Sequence, residues 1–396
     1  MTTWLITPRD PLIFRDGRPF TAAPGARATT LPFPFPSTLA GAVRTLAGTD
    51  TQTGQFDDSR IDDLLQKQIR GPLLAKLDAD GNAEHLFVPA PADALILKTE
   101  DAGTHPQAAR QLWLRPVELP NGIATNLPQL PAIVAPHKAY KEKVHRQKPA
   151  FWNWEDFEAW LRAPQEEEII PDIRLRGLPA LPQDYRVHVR IAPETQTAEE
   201  GGLFVTSGLE FTRLPTEKGN ASLGDAQAFG LLLETDAELQ WNWGFLGGER
   251  RVASWRKANF HFPACPDAIR ERIVKDKACR LVLLTPAFFD QGCLPSWGLQ
   301  QAGAQANIVT AAVPRYQTVS GWDYQKGKPK PNRRLAPAGS VYYLKLEGNE
   351  DAIRAFVNAT WMQNISDDAQ ARRDGFGLAV LGTWNGQLAN MEVSHA

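Results

Sequence analysis

The chain has 396 residues, 43% of them hydrophobic, with a formal net charge of −2, which is apolar material for real cores and length for two domains. No apolar run approaches membrane-spanning length, and residues 1–11 (MTTWLITPRDP) carry neither a charged leader nor a small-residue cleavage site, so a cytoplasmic protein is expected. Cys265, Cys279 and Cys293 complete no CxxC pair, and His261 is the only histidine beside one of them; structural thiols are expected, with no metal and no cofactor.

The 31 prolines and 30 glycines leave mostly short segments of strand character between them, which points to an α+β fold rather than a helix bundle. Thr3–Thr7 reads as a first strand, and residues 10–20 (DPLIFRDGRPF) as a loop carrying Arg15 and Arg18 just after Arg9. A helix then opens with Ser37 or Thr38 as N-cap, lines one face with Leu39, Val43 and Leu46, and stops at Gly48. Free N–H groups beside capping hydroxyls suit a phosphate as well as ordinary capping, and Arg44 lies farther along the same helix. A second amphipathic helix is predicted for residues 60–70, followed by a hairpin over 72–93 that turns at Asp80-Gly81-Asn82.

Regularity breaks between 118 and 180, which reads as an insertion. Its stretch 137–148 (HKAYKEKVHRQK) holds five Lys/Arg and two His against one Glu, and the aromatic helix 151–161 and Glu166, Glu167 and Glu168 follow. The basic stretch is either a second cationic surface or a self-paired, solvated segment.

In the strand Tyr185–Ile191, Tyr185, Val187, Val189 and Ile191 face one way and Arg186, His188 and Arg190 the other. A polar loop with Gly201-Gly202 precedes a strand near Leu203–Val205 and another from Leu209. Residues 229–235 form a strand, and a double-glycine turn before Arg250 and Arg251 sits within 243–257. A short helix over 266–277 leads to a strand from Cys279 that is apolar on both faces.

Residues 324–346 concentrate Lys326, Lys328, Lys330, Arg333, Arg334 and Lys345 with no acidic residue. Gly327, Pro329, Pro331 and Pro337 forbid a helix there, while Val341–Leu344 reads as a buried strand. Trp322, Tyr324, Tyr342 and Tyr343 stand among these cations, and cations interleaved with stacking rings suit single-stranded nucleic acid; the plain alternative is a solvated hairpin. Of the twelve tryptophans, Trp113, Trp152, Trp154, Trp241, Trp243 and Trp322 lie in polar settings, which suggests contacts to a partner or to bases, although such rings also build cores. The C-terminal unit is β-α-β: Val341–Leu346, a helix over 351–361, then Gly375-Phe376-Gly377 before an apolar strand. Gly375 and Gly377 would let backbone amides approach a phosphate, but they precede a strand and so form no dinucleotide fingerprint.

The segments DPLIFRDGRPF, PSTLAGAVR, LFVPAPAD, RVHVRIAPETQTAEEGGLFVTSGLEF, FLGGERR, GWDYQKGKPKPNRRLAPAGSVYYLKL and DGFGLAVLG, in this order, resemble the third subunit of the Cmr complex, the type III-B CRISPR effector, within the RAMP superfamily. The resemblance runs from about residue 7 to 384 and is weak over 118–180 and 287–313. It implies two packed ferredoxin-like (RRM-related) β-α-β modules with loop insertions: 1–180, carrying the 118–180 insertion, and 181–396, carrying the glycine-rich loop. It implies binding of the 5′ handle of the guide RNA, docking on the polymerase-like large subunit and capping of the filament of backbone RAMP subunits, with no catalysis by this chain and no membrane. Carried to this sequence, the RNA contacts are Lys326, Lys328, Lys330, Arg333 and Arg334, then Gly375 and Gly377, then Arg44, Arg186, His188, Arg190, Arg250 and Arg251. The enzymatic alternative is a metal-independent RAMP endoribonuclease using His188 as general acid or base; a third reading is a protein-only scaffold without RNA affinity.

Overall fold

The structure, a computed structural model, describes residues 1–15, 27–28, 30–99, 107–118, 125, 130–214, 223–323 and 327–390. The fold is α+β with antiparallel sheets. Rather than dividing at residue 180, the chain clusters into two compact units that interleave in sequence. One takes in 1–85, 180–260 and 318–334, the other 86–179, 261–317 and 335–396.

In the first unit, the strand Thr2–Pro8 lies between Gln227–Thr235 and Val252–Lys257; Ile69–Leu77 pairs on the far side of 227–235, and Trp243–Phe245 forms the edge beyond 252–257. The helix Pro36–Gly48 packs on one face, burying Leu39, Val43 and Leu46 as their spacing predicts. Gly244 makes that contact possible, since a Cβ there would stand 2.6 Å from a Leu46 methyl. The cap differs from expectation. Phe35 is the N-cap residue with no side-chain bond, and Ser37 and Thr38 already lie inside the helix, because Pro36 supplies the fixed φ and missing N–H that suit a first turn. The helix predicted for 60–70 is also shorter, running Ile61–Gln66 before Ile69 starts a strand whose apolar run, Leu73 to Ala75, is wholly buried in the sheet. The hairpin turn is as expected, with Gly81 at φ +76° and the Asn82 amide donating to Asp78 Oδ1 at 2.7 Å.

This unit also holds a long hairpin, Gln183–Ile191 with Ala198–Leu209, the latter pairing in parallel with Arg27–Ala28. The predicted glycine loop at 201–202 is instead part of one continuous strand. Gly201, at φ +71°, is compatible with the irregular register between Val189 and Ile191 that lets the strand continue.

The second unit is built on a six-stranded antiparallel sheet in the order Gln300–Gln301, Ala304–Ala312, Val341–Glu347, Ala278–Leu283, Leu378–Thr383, Gln363–Asn364. The C-terminal β-α-β is present and split: 341–347 and 378–383, joined through the helix Glu350–Thr360, flank 278–283. The predicted insertion supplies one strand, Glu167–Ile170, to a smaller sheet whose other two, Ala109–Trp113 and Ala94–Lys98, precede it in the chain. Its aromatic helix, Trp154–Arg162, buries Trp154, Phe157 and Trp160 and so belongs to the core. The strand from Cys279 is buried on both faces but is not wholly apolar, because Arg280 sits inside it, fully buried and paired with Asp93 at 2.6 Å. Among the described residues no helix is long and apolar enough to cross a membrane.

Candidate nucleic-acid interface

The cationic segment 318–334 is a hairpin. Trp322–Asp323 pairs with Lys328–Pro329, and Gln317–Val319 with Arg333–Leu335, as the prolines and Gly327 require in place of a helix. Lys328, Lys330 and Arg334 are exposed and Arg333 is half-buried; Lys326 lies outside the described residues. Lys328 and Lys330 make no ion pair among the described residues. Tyr342 and Tyr343 are not stacking platforms for this loop: both are fully buried, with the Tyr342 hydroxyl donating to Cys293 O at 2.6 Å and the Tyr343 hydroxyl to Leu114 O. Their strand runs through the middle of a sheet, where polar ring tips meet backbone carbonyls instead of bases.

The strand Gln183–Ile191 shows the predicted alternation, but both its faces are open. Arg186 pairs with Asp184 at 2.6 Å and Arg190 with Glu199 at 3.2 Å, which leaves each cation largely neutralised in place. His188 Nε2 meets Thr206 Oγ1 at 2.9 Å and its ring stacks on Phe204 at 5.1 Å between centroids. Such a histidine is held as a flat polar surface. Among the described residues no second acid-base group contacts it. The opposite face carries Tyr185, Val187, Val189, Ile191 and Leu203, 45 to 67% exposed. Period-2 alternation alone gave no sign that this row is uncovered.

Arg250 is exposed at φ +50° on the turn after Gly247, beside Glu249 at φ +58°. Arg251 is tied to Glu249 at 3.1 Å. Arg44 is spent within its own unit, its Nε donating to Leu64 O at 3.0 Å, so it ties the long helix to the short one. Next to the Arg250 turn is an edge ladder that the tryptophan count hinted at: Trp241, Trp243 and Phe245 lie edge-on at 5.8 and 6.0 Å. Trp243 and Phe245 are about half exposed, on the face opposite the one where Gly244 meets Leu46. Trp152 and Trp154, by contrast, are buried.

Gly375 and Gly377 belong to the second unit and are buried. Both need glycine, at φ +99° and +85°, but their amides are occupied: Gly375 donates to Arg372 O at 3.2 Å and Gly377 to Pro286 O at 2.8 Å. A phosphate would find no free donor in this turn. Arg372, which precedes it, stacks at 3.7 Å on Trp297 and donates to Ser366 O and Asp367 O. Among the described residues no group of three or more His, Cys, Asp or Glu could hold a metal. Burial pushes the Cys265 thiol up to about 11 and raises that of Cys279 as well, which makes both poor thiolates.

A family described as CRISPR-associated protein (Cas_Cmr3) matches residues 4–384. Comparison with curated proteins finds no match. Among solved structures, a chain of a type III-B Cmr-beta complex bound to cognate target RNA and AMPPnP is similar at 16% identity and TM-score 0.48, covering 98% of both chains. A second, of Cmr-beta bound to cognate target RNA, is 16% identical with TM-score 0.42, covering 86% of each. A third, from a Csm3–Csm4 subcomplex of a type III-A interference complex, is 11% identical with TM-score 0.30, covering 86% of this chain and 92% of that one. The family match across nearly the whole length makes this a subunit of a type III-B CRISPR effector. The chain belongs to the Cmr3 family of CRISPR-associated proteins, the third subunit of the Cmr complex.

Proposed function

We propose that this subunit is a non-catalytic RNA-binding component that grips the 5′ handle of the guide RNA, docks on the polymerase-like large subunit and adjoins the backbone RAMP subunit, on a frame of two ferredoxin-like modules. The observation that carries this is the segregation of charge: every described cationic candidate falls in one unit, and within it Lys328 and Lys330 stand exposed on a hairpin with no carboxylate partner among the described residues. In a chain of net charge −2, exposed cations on a proline-stiffened hairpin suit phosphate neutralisation. The rings of His188, Phe204, Trp243 and Phe245 offer π-faces to unstacked bases. The apolar row from Tyr185 to Ile191 supplies a protein contact on the other side of the same hairpin.

The test is a salt titration of guide-RNA binding by the complex, with parent and Lys328→Glu/Lys330→Glu subunits. Losing two phosphate contacts lowers the slope of log K against log salt by about 1.4, at roughly 0.7 per single-strand contact. An unchanged slope and affinity would favour the protein-only scaffold.

A further inference from the structure

The basic stretch 137–148 belongs to the other unit. Its residues 143–145 lie against the strand Ala94–Lys98 as a short added strand: the Lys98 amide donates to Lys143 O at 2.8 Å, Leu97 bridges Val144, and the His145 amide donates to Ile96 O at 2.9 Å. Beside this pairing is a cleft of about 290 Å³, lined by Lys98, Thr99, Ala108, His145, Arg146 and Gln147. That is room for about ten waters at ~30 Å³ each, or for a phosphate group with an attached sugar.

Among the described residues the lining contains no carboxylate, and Lys98 and Arg146 are both exposed at it. Of the described acidic residues the one closest in sequence, Glu142, is turned to Arg110, 3.4 Å from its Nε, while Glu100 and Asp101, which follow Thr99, lie outside the described residues. His145 is only 7% exposed, and its Nδ1 accepts the Gln147 amide at 3.2 Å. Burial, then the charge of Lys98, lowers its pKa, so the neutral ring carries its proton on Nε2. That N–H has no partner among the described residues. The cleft therefore presents an ammonium, a guanidinium and a buried imidazole N–H, all donors. These three donors match the acceptor oxygens of a phosphate.

We propose that this cleft is an oxyanion site for a phosphate group, held by Lys98, Arg146 and the His145 Nε2–H. The group belongs either to the terminal phosphate of a nucleotide or to the phosphodiester of a nucleic-acid backbone. The proposal does not rest on the role assigned to the hairpin surface.

The test uses the full chain labelled at histidine Cε1 and titrated with inorganic phosphate at constant ionic strength. The His145 signal, assigned by its loss in His145→Asn, shifts saturably. Affinity falls at least tenfold in Lys98→Met/Arg146→Met and is largely kept in Lys98→Arg. Both altered side chains are exposed, and a melting curve on each preparation verifies folding. Adenosine monophosphate binding more tightly than a dinucleoside monophosphate assigns the terminal group, and the reverse order assigns the backbone phosphodiester. No saturable shift in the parent, or the same affinity in the folded double variant, overturns the proposal.

Discussion

Replacing Asp93 by alanine tests how the second unit is held together. Arg280 is wholly buried: Nη1 donates to Asp93 at 2.6 Å, Nη2 to Trp160 O at 2.6 Å and Nε to Thr383 O at 2.9 Å, between the rings of Trp113 and Trp160 at 5.5 and 5.8 Å. The Asp93 carboxylate also accepts the Trp160 indole N–H at 3.0 Å and the Tyr343 hydroxyl at 3.3 Å. Alanine at 93 strands a guanidinium in the core, which costs about 3–5 kcal/mol, because the uncompensated charge outweighs the loss of the pair itself. In a unit of about 200 residues each kcal/mol moves the midpoint by ~2–4 °C, so melting falls by roughly 6–20 °C. Far-UV circular dichroism of the full chain reads this directly. Removing both charges, as Asp93→Leu with Arg280→Met, restores most of the loss. A fall of less than about 2 °C in Asp93→Ala would refute the claim that this pair is buried and essential to the unit.

Gly377→Ala destabilises the chain by about 3 kcal/mol or more, since a Cβ would lie 2.8 Å from the Ser366 amide and 2.9 Å from its hydroxyl at a φ that alanine disfavours; a denaturant titration checks this, and a change under ~1 kcal/mol would reopen the turn as a ligand loop. His188→Ala leaves the rate of target-RNA cleavage by the assembled complex unchanged while weakening guide binding about twofold to tenfold, through loss of a ring surface worth ~0.5–1.5 kcal/mol; lost cleavage with intact assembly would favour the ribonuclease reading.

Local pattern made much of the chain readable. Leu39, Val43 and Leu46 announce a helix face, Asp80-Gly81-Asn82 a hairpin, and the prolines around Lys328 a non-helical cationic loop, because each signal is contained within a few residues. The readings that failed depend on what comes from far along the chain. Arg280 looks misplaced in an apolar strand until Asp93, 187 residues earlier, is seen beside it. Gly375 and Gly377 advertise their positive φ, but nothing local tells that Arg372 O and Pro286 O have taken the amides. The same holds for Tyr342 and Tyr343: aromatic and near cations in sequence, they lie in a central strand. For Val187 and Val189, alternation gives the face but not whether another layer covers it. The interleaving of the two units is invisible for the same reason, since strands 69–77 and 227–235 pair across more than a hundred intervening residues.

The central claim is that the unit carrying 180–260 and 318–334 faces the guide RNA. Its most direct test is ultraviolet cross-linking of the assembled complex carrying 4-thiouridine in the 5′ handle, with the adducts on this subunit mapped by mass spectrometry. The account predicts adducts at or beside 327–334, 183–209 and 241–251. A complex that cleaves its target normally and shows none in these three segments would contradict it.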